Sequence, residues 1–225
     1  AGWTQVSAHG TGCGLSTVDE MVVRMKLATP TNGLMVLSDK DEPWLFKWAR
    51  VGLGALGVVT ELTLRIIPAF NLKQSTTVLT GREVSQGHAE RLANNRHCRY
   101  MWIPNTQDTV SVLGHPTSEA PTALPSSSKE IEEDVTEPLK ALLRKCTPHS
   151  GGGAGDPKDM SFAQLRDALL DVAPLNAAHI RAVNRAEASF WKRTADEGPR
   201  VADSTELLGF DCGGQQWVLE VCFPI

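Results

Sequence analysis

The segment "VGLGALGVVTELTLRI" (51–66) constrains the fold more than any other stretch of the chain. Gly52, Gly54 and Gly57 fit the spacing G-x-G-x-x-G. After a strand and before a helix, that spacing seats a pyrophosphate on the helix N-terminus. Here the flanks are reversed. The preceding "DEPWLFKWARVG" (41–52) reads as a short helix, with Asp41 at the N-cap and Pro43 in the first turn. Trp44, Leu45 and Trp48 would form its apolar face and Gly52 its C-cap. The following "VVTELTLRII" (58–67) alternates apolar and polar residues, is rich in β-branched ones, and reads as a strand closed by Pro68. No acidic residue stands about 20 positions on at the end of a second parallel strand, where it would meet a ribose. The order helix, glycines, strand argues against a Rossmann unit. Taken alone, the glycines would do no more than turn a helix into a strand. They could also serve a nucleotide differently, because successive backbone N–H groups form an anion-holding nest and glycine lets a flat ring approach the main chain.

A second glycine-rich loop tips that balance. "SAHGTGCG" (7–14) carries Gly10, Gly12 and Gly14 among small polar residues, and it cannot pack a core. Two such loops in one α/β unit point to a cofactor lying along backbone. His9 within it, considered alone, is more often a hydrogen-bonded structural histidine than a ligand. Between the two loops, "MVVRMKLAT" (21–29) and "LMVLS" (34–38) read as strands joined by the Asn-Gly turn of "TPTNG".

A second part starts near Phe70. "STTVLT" reads as a strand, "REVSQGHAERLANN" as a helix, and "CRYMWIP" and "DTVSVLG" as strands joined by a turn at Asn105, Thr106 and Gln107. The Pro/Ser-rich "HPTSEAPTALPSSS" (115–128) reads as an exposed loop. The acidic "KEIEEDVTEPLKALLRK" reads as a helix and "TPHSGGGAGDP" as a flexible connector. "SFAQLRDALLDV" follows as a helix capped by Ser161, then a helix starting at Pro174. "TELLGFDCGGQQWVLEVCFP" reads as strand, glycine turn, strand. The whole is an α+β pattern.

Composition narrows the function classes. The formal net charge is -4, which leaves no electrostatic footprint for nucleic acid. The five cysteines, Cys13, Cys98, Cys146, Cys212 and Cys222, are odd in number and contain no C-x-x-C pair, so buried or free thiols are expected rather than a disulfide framework or a zinc site. No apolar run reaches the roughly 20 residues of a membrane span. The chain begins at Ala1 without a Met and ends at "CFPI", so it is expected to be an internal piece of a longer protein.

Four runs carry a resemblance: "VSAHGTGCGLSTVDEMVVRMKLATPT", "ARVGLGALGVVTELTLR", "LRDALLDVAPLNAAHIRAVNRAEASFWKR" and "LGFDCGGQQWV". With them the chain resembles the vanillyl-alcohol-oxidase flavoprotein family, and within it the plant and algal galactonolactone-oxidising branch. The likeness is weakest from about His115 to Pro157. It implies the second half of an FAD-binding domain over residues 1–68 and the first part of an α+β substrate (cap) domain over 69–225, with 115–157 a variable insertion. It further implies FAD as cofactor, oxidation of L-galactono-1,4-lactone to L-ascorbate, and cytochrome c as electron acceptor. A mitochondrial inner-membrane location facing the intermembrane space is implied too, as is a link to assembly of respiratory NADH dehydrogenase. By position it places Ser7, Ala8, His9, Gly10, Thr11 and Gly12 along the flavin, with the small Ala8 restricting oxygen. Gly54, Gly57, Val58 and Val59 would contact FAD through backbone. Ser7 departs from the Gly expected there. No catalytic residue falls within the chain, because the family's lactone-orienting Glu and Arg are expected beyond Ile225. "FDCGGQQW" (210–217) is a second-rank site candidate.

Overall fold

A computed structural model describes residues 2–122, 134–147 and 157–209. The chain divides after Ala69 into two compact units.

Unit 1 contains α1 (Gly2–Gln5), a 3-10 turn at Val18–Met21, β1 (Val22–Thr29), β2 (Gly33–Ser38), α2 (Pro43–Ala49) and β3 (Val58–Leu64). The strands form an antiparallel sheet in the order β2-β1-β3. The Asn-Gly turn closes the β1–β2 hairpin as expected, with Thr29 paired to Gly33 and Gly33 at φ 65. Val22, Met25, Leu27 and Leu37 line the covered face of the sheet, and Phe46 and Ala49 of α2 close over them.

This packing corrects two of the three residues expected on the apolar face of α2; the third, Leu45, does pack against the core. Trp44 and Trp48 are 74% and 52% exposed, while Phe46 and Ala49 are buried. Phe46 and Ala49 stand three residues apart on one helix face, and where the short helix rests on the sheet decides that this face is covered. Pro43 does occupy the first turn, but the N-cap is Glu42 at φ 53. Asp41 instead accepts a hydrogen bond from Ser38 Oγ at 2.9 Å in the turn before it. The C-cap is Arg50, in right-handed conformation, and the left-handed residues come later, at Leu53 and Gly54.

Unit 2 contains β4 (Asn71–Thr80), α3 (Gly81–Asn94), β5 (His97–Trp102), β6 (Asp108–Thr117), α4 (Glu137–Cys146), α5 (Phe162–Val172), α6 (Ala177–Asp196), β7 (Arg200–Asp203) and α7 (Ser204–Leu208). Its antiparallel sheet runs β5-β6-β4-β7. A capping box opens α3, because Thr80 and Glu83 each satisfy the other's backbone N–H. Ser161 and Gln164 do the same for α5. Leu139 and Leu143 of α4, Leu165 and Leu169 of α5, and Val183 and Phe190 of α6 form one core, with Phe162 stacked on Phe190 at 4.2 Å. Asn184 ties α6 to the β5–β6 turn by donating to the Pro104 carbonyl at 2.9 Å.

Several local expectations shift here. Strand β6 continues through His115 to Thr117, because the long β4 offers pairing partners as far as Asn71. Helix α6 starts at Ala177 rather than Pro174, because the Asn176 side chain accepts from two first-turn amides, those of Ala178 and His179. "TELL" is helical rather than a strand, since the Asp203 carboxylate caps it by accepting from the Thr205 amide at 2.8 Å. The expected hairpin at "GFDCGGQQWV", with Cys212 and Cys222, lies outside the described residues apart from Gly209. Cys13, Cys98 and Cys146 are free thiols. Among the described residues no helix is long and apolar enough to cross a membrane.

Candidate functional site

In unit 1, helix α1 runs directly into the first glycine loop. Ser7 takes a left-handed conformation (φ 55) and its hydroxyl donates to the buried carboxylate of Asp19 at 2.8 Å. Ala8 donates its amide to the Trp3 carbonyl at 3.3 Å and accepts from the Val18 amide at 2.9 Å. The His9 ring Nδ1 donates to the neighbouring Gly10 carbonyl at 2.9 Å, the only direction a carbonyl allows. At Gly12 the main chain lies close under Leu15, whose Cδ1 would be 2.2 Å from an added Cβ. The start of the loop is thus cross-braced, with Ser7 and Ala8 tied both to α1 and to the 3-10 turn.

The second glycine segment forms a groove of about 430 Å³ with α1. Gly54, Gly57, Val58 and Val59, four of the expected contact residues, line it together with Gly2, Gln5, Val6 and Leu53. The Ser7–Gly12 loop follows straight on from Val6 but does not itself line this groove. The volume falls within the roughly 300–1,000 Å³ of small-molecule sites. Its apolar walls are Leu53, Val58 and Val6, which are 73%, 68% and 60% exposed. Such exposure of three aliphatic side chains around one concavity is the mark of a surface that another group covers.

The backbone explains why glycine is needed here. Gly57 has φ 145, and a Cβ at that position would lie 2.3 Å from the Ala28 carbonyl oxygen, so β3 can start against β1 only without a side chain there. Gly54, at φ 76, faces open space. Among the described residues no ionisable side chain lines the groove. Farther along β3, Glu61 is held below its ordinary 4.5 by the Lys26 hydrogen bond, with Arg24 also nearby, and it is exposed. A groove floored by glycine backbone and walled by aliphatic side chains accepts a flat, uncharged ring. On that ground the residues fit part of an FAD molecule.

Four lining residues went unread in the sequence: Gly2, Gln5, Val6 and Leu53. Leu53 occupies an unremarked x of the glycine pattern, and its left-handed backbone shows only in the fold. Val6 and Gln5 precede the first loop and carry no motif. Yet the Gln5 amide donates to the carbonyls of Ala49 at 3.0 Å and Arg50 at 3.3 Å, and its oxygen accepts from the Gly54 amide at 3.5 Å.

Unit 2 has a separate cavity of about 310 Å³ against the end of α6, where Gln74, Thr76, Arg99 and Trp191 meet the paired Arg200 and Glu206. Among the described residues no three His, Cys, Asp or Glu side chains converge as a metal site.

Comparison with known proteins gives this arrangement its context. A profile of the D-arabinono-1,4-lactone oxidase family matches residues 62–150. The chain is 43% identical over 235 residues to the mitochondrial L-galactono-1,4-lactone dehydrogenase of Brassica oleracea, covering 99% of this chain and 38% of that protein. It is 28% identical over 115 residues to L-gulonolactone oxidase of Bos taurus, covering 51% of this chain and 26% of that enzyme. The chain thus spans well under half the length of these relatives. Among solved structures, cholesterol oxidase from B. sterolicum superposes with a TM-score of 0.52 at 14% identity, covering 89% of this chain and 38% of that one, a likeness of fold.

Proposed function

We propose, from the homology of this chain to the plant L-galactono-1,4-lactone dehydrogenases, that it is part of an FAD-dependent aldonolactone oxidoreductase. The reaction is oxidation of L-galactono-1,4-lactone to L-ascorbate, with electrons passed to cytochrome c. Residues 1–68 supply part of the FAD-binding domain and 69–225 part of the substrate domain. The protein works at the mitochondrial inner membrane, facing the intermembrane space, in keeping with the mitochondrial naming of its relatives. A link to respiratory NADH dehydrogenase assembly belongs to the same reading.

The observation that carries the proposal is the neutral groove of unit 1, floored by Gly54 and Gly57. FAD bound there would supply the hydride acceptor that no side chain can be. The chain's own part is to bind and orient. Gly54, Gly57, Val58 and Val59 offer backbone to the cofactor. Leu53, Val6 and Val58 cover its apolar surface and exclude water. The braced loop from Ser7 through Ala8, His9, Gly10 and Thr11 to Gly12 holds a small side chain beside the ring, where bulk or its absence sets the access of oxygen.

A second reading, an aldonolactone oxidase that reduces oxygen, is favoured by the family profile over 62–150. One experiment separates the two. The full-length protein is supplied with L-galactono-1,4-lactone, and cytochrome c reduction and oxygen consumption are followed in parallel. The dehydrogenase reading requires cytochrome c reduction with little oxygen uptake. A full-length protein that shows no flavin absorbance after refolding with FAD defeats both readings, leaving a non-catalytic assembly role.

A further inference from the structure

Gln5 makes contacts that its place in the sequence does not announce. It ends α1, a helix of four residues that has no stability of its own. From there its side chain reaches across 44 and 45 residues to the carbonyls of Ala49 and Arg50. These lie at the C-terminal end of α2, where the last carbonyls of a helix have no intrahelical partner. Its oxygen meets the amide of Gly54. That amide belongs to a turn closed by the Ala55 amide on the Gly52 carbonyl at 2.8 Å, and both central residues have positive φ, 51 at Leu53 and 76 at Gly54. A leucine avoids this conformation, so the turn persists only where its surroundings hold it.

The groove has three walls. Val6, beside Gln5, is one wall. Leu53 and Gly54 are the second. Val58 and Val59 of β3 are the third, and they are held by the sheet through their pairing with Ala28 and Leu27. Gln5 joins the first wall to the second. We propose that Gln5 is a positioning residue for the cofactor: its amide clamps α1 to the end of α2 and to the Leu53–Gly54 turn, and so sets the groove at the width that receives FAD. This rests on the FAD reading of the same groove. Gln5 touches the groove's frame and takes no part in the chemistry.

The clamp needs a donor and an acceptor on one side chain, and two variants of the full-length protein separate that need from simple packing. Gln5→Leu keeps the bulk and removes every bond. Gln5→Glu keeps the acceptor for Gly54 but turns a carboxylate toward two carbonyl oxygens; protonation returns a donor. Losing bonds of this kind is expected to weaken FAD binding about tenfold in both variants at pH 8. On acidification toward pH 5, the Glu variant should regain wild-type affinity, relative to wild type at the same pH, because two facing carbonyls raise its carboxyl into that range. The Leu variant should stay weak throughout. Affinity is read by flavin fluorescence titration into apoprotein, with thermal unfolding measured beside it.

Wild-type affinity in the Leu variant, or a Glu variant whose deficit ignores pH, overturns the role of Gln5 while leaving the FAD reading intact. Loss of cooperative unfolding in both variants at every pH also overturns it, because Gln5 would then hold the unit rather than the groove. A wild type that takes up no FAD overturns both this inference and the proposed function.

Discussion

Alanine at Gly57 should damage unit 1 far more than alanine at Gly54, although both glycines belong to one motif and line one groove. At Gly57 the new Cβ would lie 2.3 Å from the Ala28 oxygen, 3.1 Å from its carbonyl carbon and 3.3 Å from Thr29 Cα. All three are backbone atoms of β1, so none can swing aside as a side-chain end would. Relief requires pulling β3 away where Ala28 pairs with Val58 and Leu27 with Val59. The φ of 145 adds strain of its own. Holding a non-glycine residue in such a region costs about 1–3 kcal/mol and forcing atoms into a filled space about 1–3 more, so the total is roughly 2–6 kcal/mol. At Gly54 the φ of 76 is also unfavourable, but nothing lies within 4 Å of the new Cβ. Only the left-handed penalty of about 1–2 kcal/mol remains there. A unit of this size loses about 4–8 °C per kcal/mol, so Gly57→Ala should lower its unfolding temperature by roughly 10 °C or more, and by more than Gly54→Ala does. Scanning calorimetry on the full-length protein reads the difference. Amide exchange along β1 and β3 then locates it, since only the Gly57 variant should lose protection at Leu27, Ala28, Val58 and Val59. If the two variants melt within about 3 °C of each other, or if β1–β3 protection survives in the Gly57 variant, then the close approach to Ala28 does not govern this position.

Two further outcomes follow from the packing and the caps. Phe46→Ala empties the centre of the unit 1 core and should cost about 3–5 kcal/mol in denaturant unfolding, whereas Trp44→Ala, at an exposed site, should stay within about 0.5 kcal/mol; the reverse order would restore the face expected from the sequence. Glu83 is held below its ordinary 4.5, first by the Thr80 backbone N–H and then by the Thr80 hydroxyl. Because the folded value is depressed, its contribution to α3 is complete above the unfolded value and disappears as pH falls through the folded one. Amide exchange in the first turn of α3 should therefore quicken below about pH 4.5 in wild type, and Glu83→Gln should flatten that dependence; an unchanged profile in the variant would count against the capping box.

Much of unit 1 was legible in the order of residues. The β-branched alternation of Val58–Leu64 made a strand, Asn32-Gly33 made a hairpin, and the helix-before, strand-after order of the glycines ruled out a pyrophosphate on a helix N-terminus. Capping residues were legible where the whole device is local, as at Ser161 and Gln164. They misled where two neighbours competed. Asp41 has the better capping chemistry, but Ser38 engages it, and Glu42 takes the cap. "TELL" has strand-like residues, yet Asp203 just ahead of it supplies a cap that a strand reading overlooks.

What the sequence by itself determined is therefore what acts within a few residues: hydrophobic period, turn chemistry, and the glycines that permit positive φ. Tertiary structure alone decided which face of α2 is covered, because Trp44 and Trp48 are as apolar as Phe46 and only the sheet's position distinguishes them. It alone also made a groove out of Gln5, Val6, Leu53 and the later glycines. The physical reason is range. A helix period or a turn is fixed by neighbours along the chain, while a glutamine that caps a helix 44 residues away does so only after the strands between them have paired.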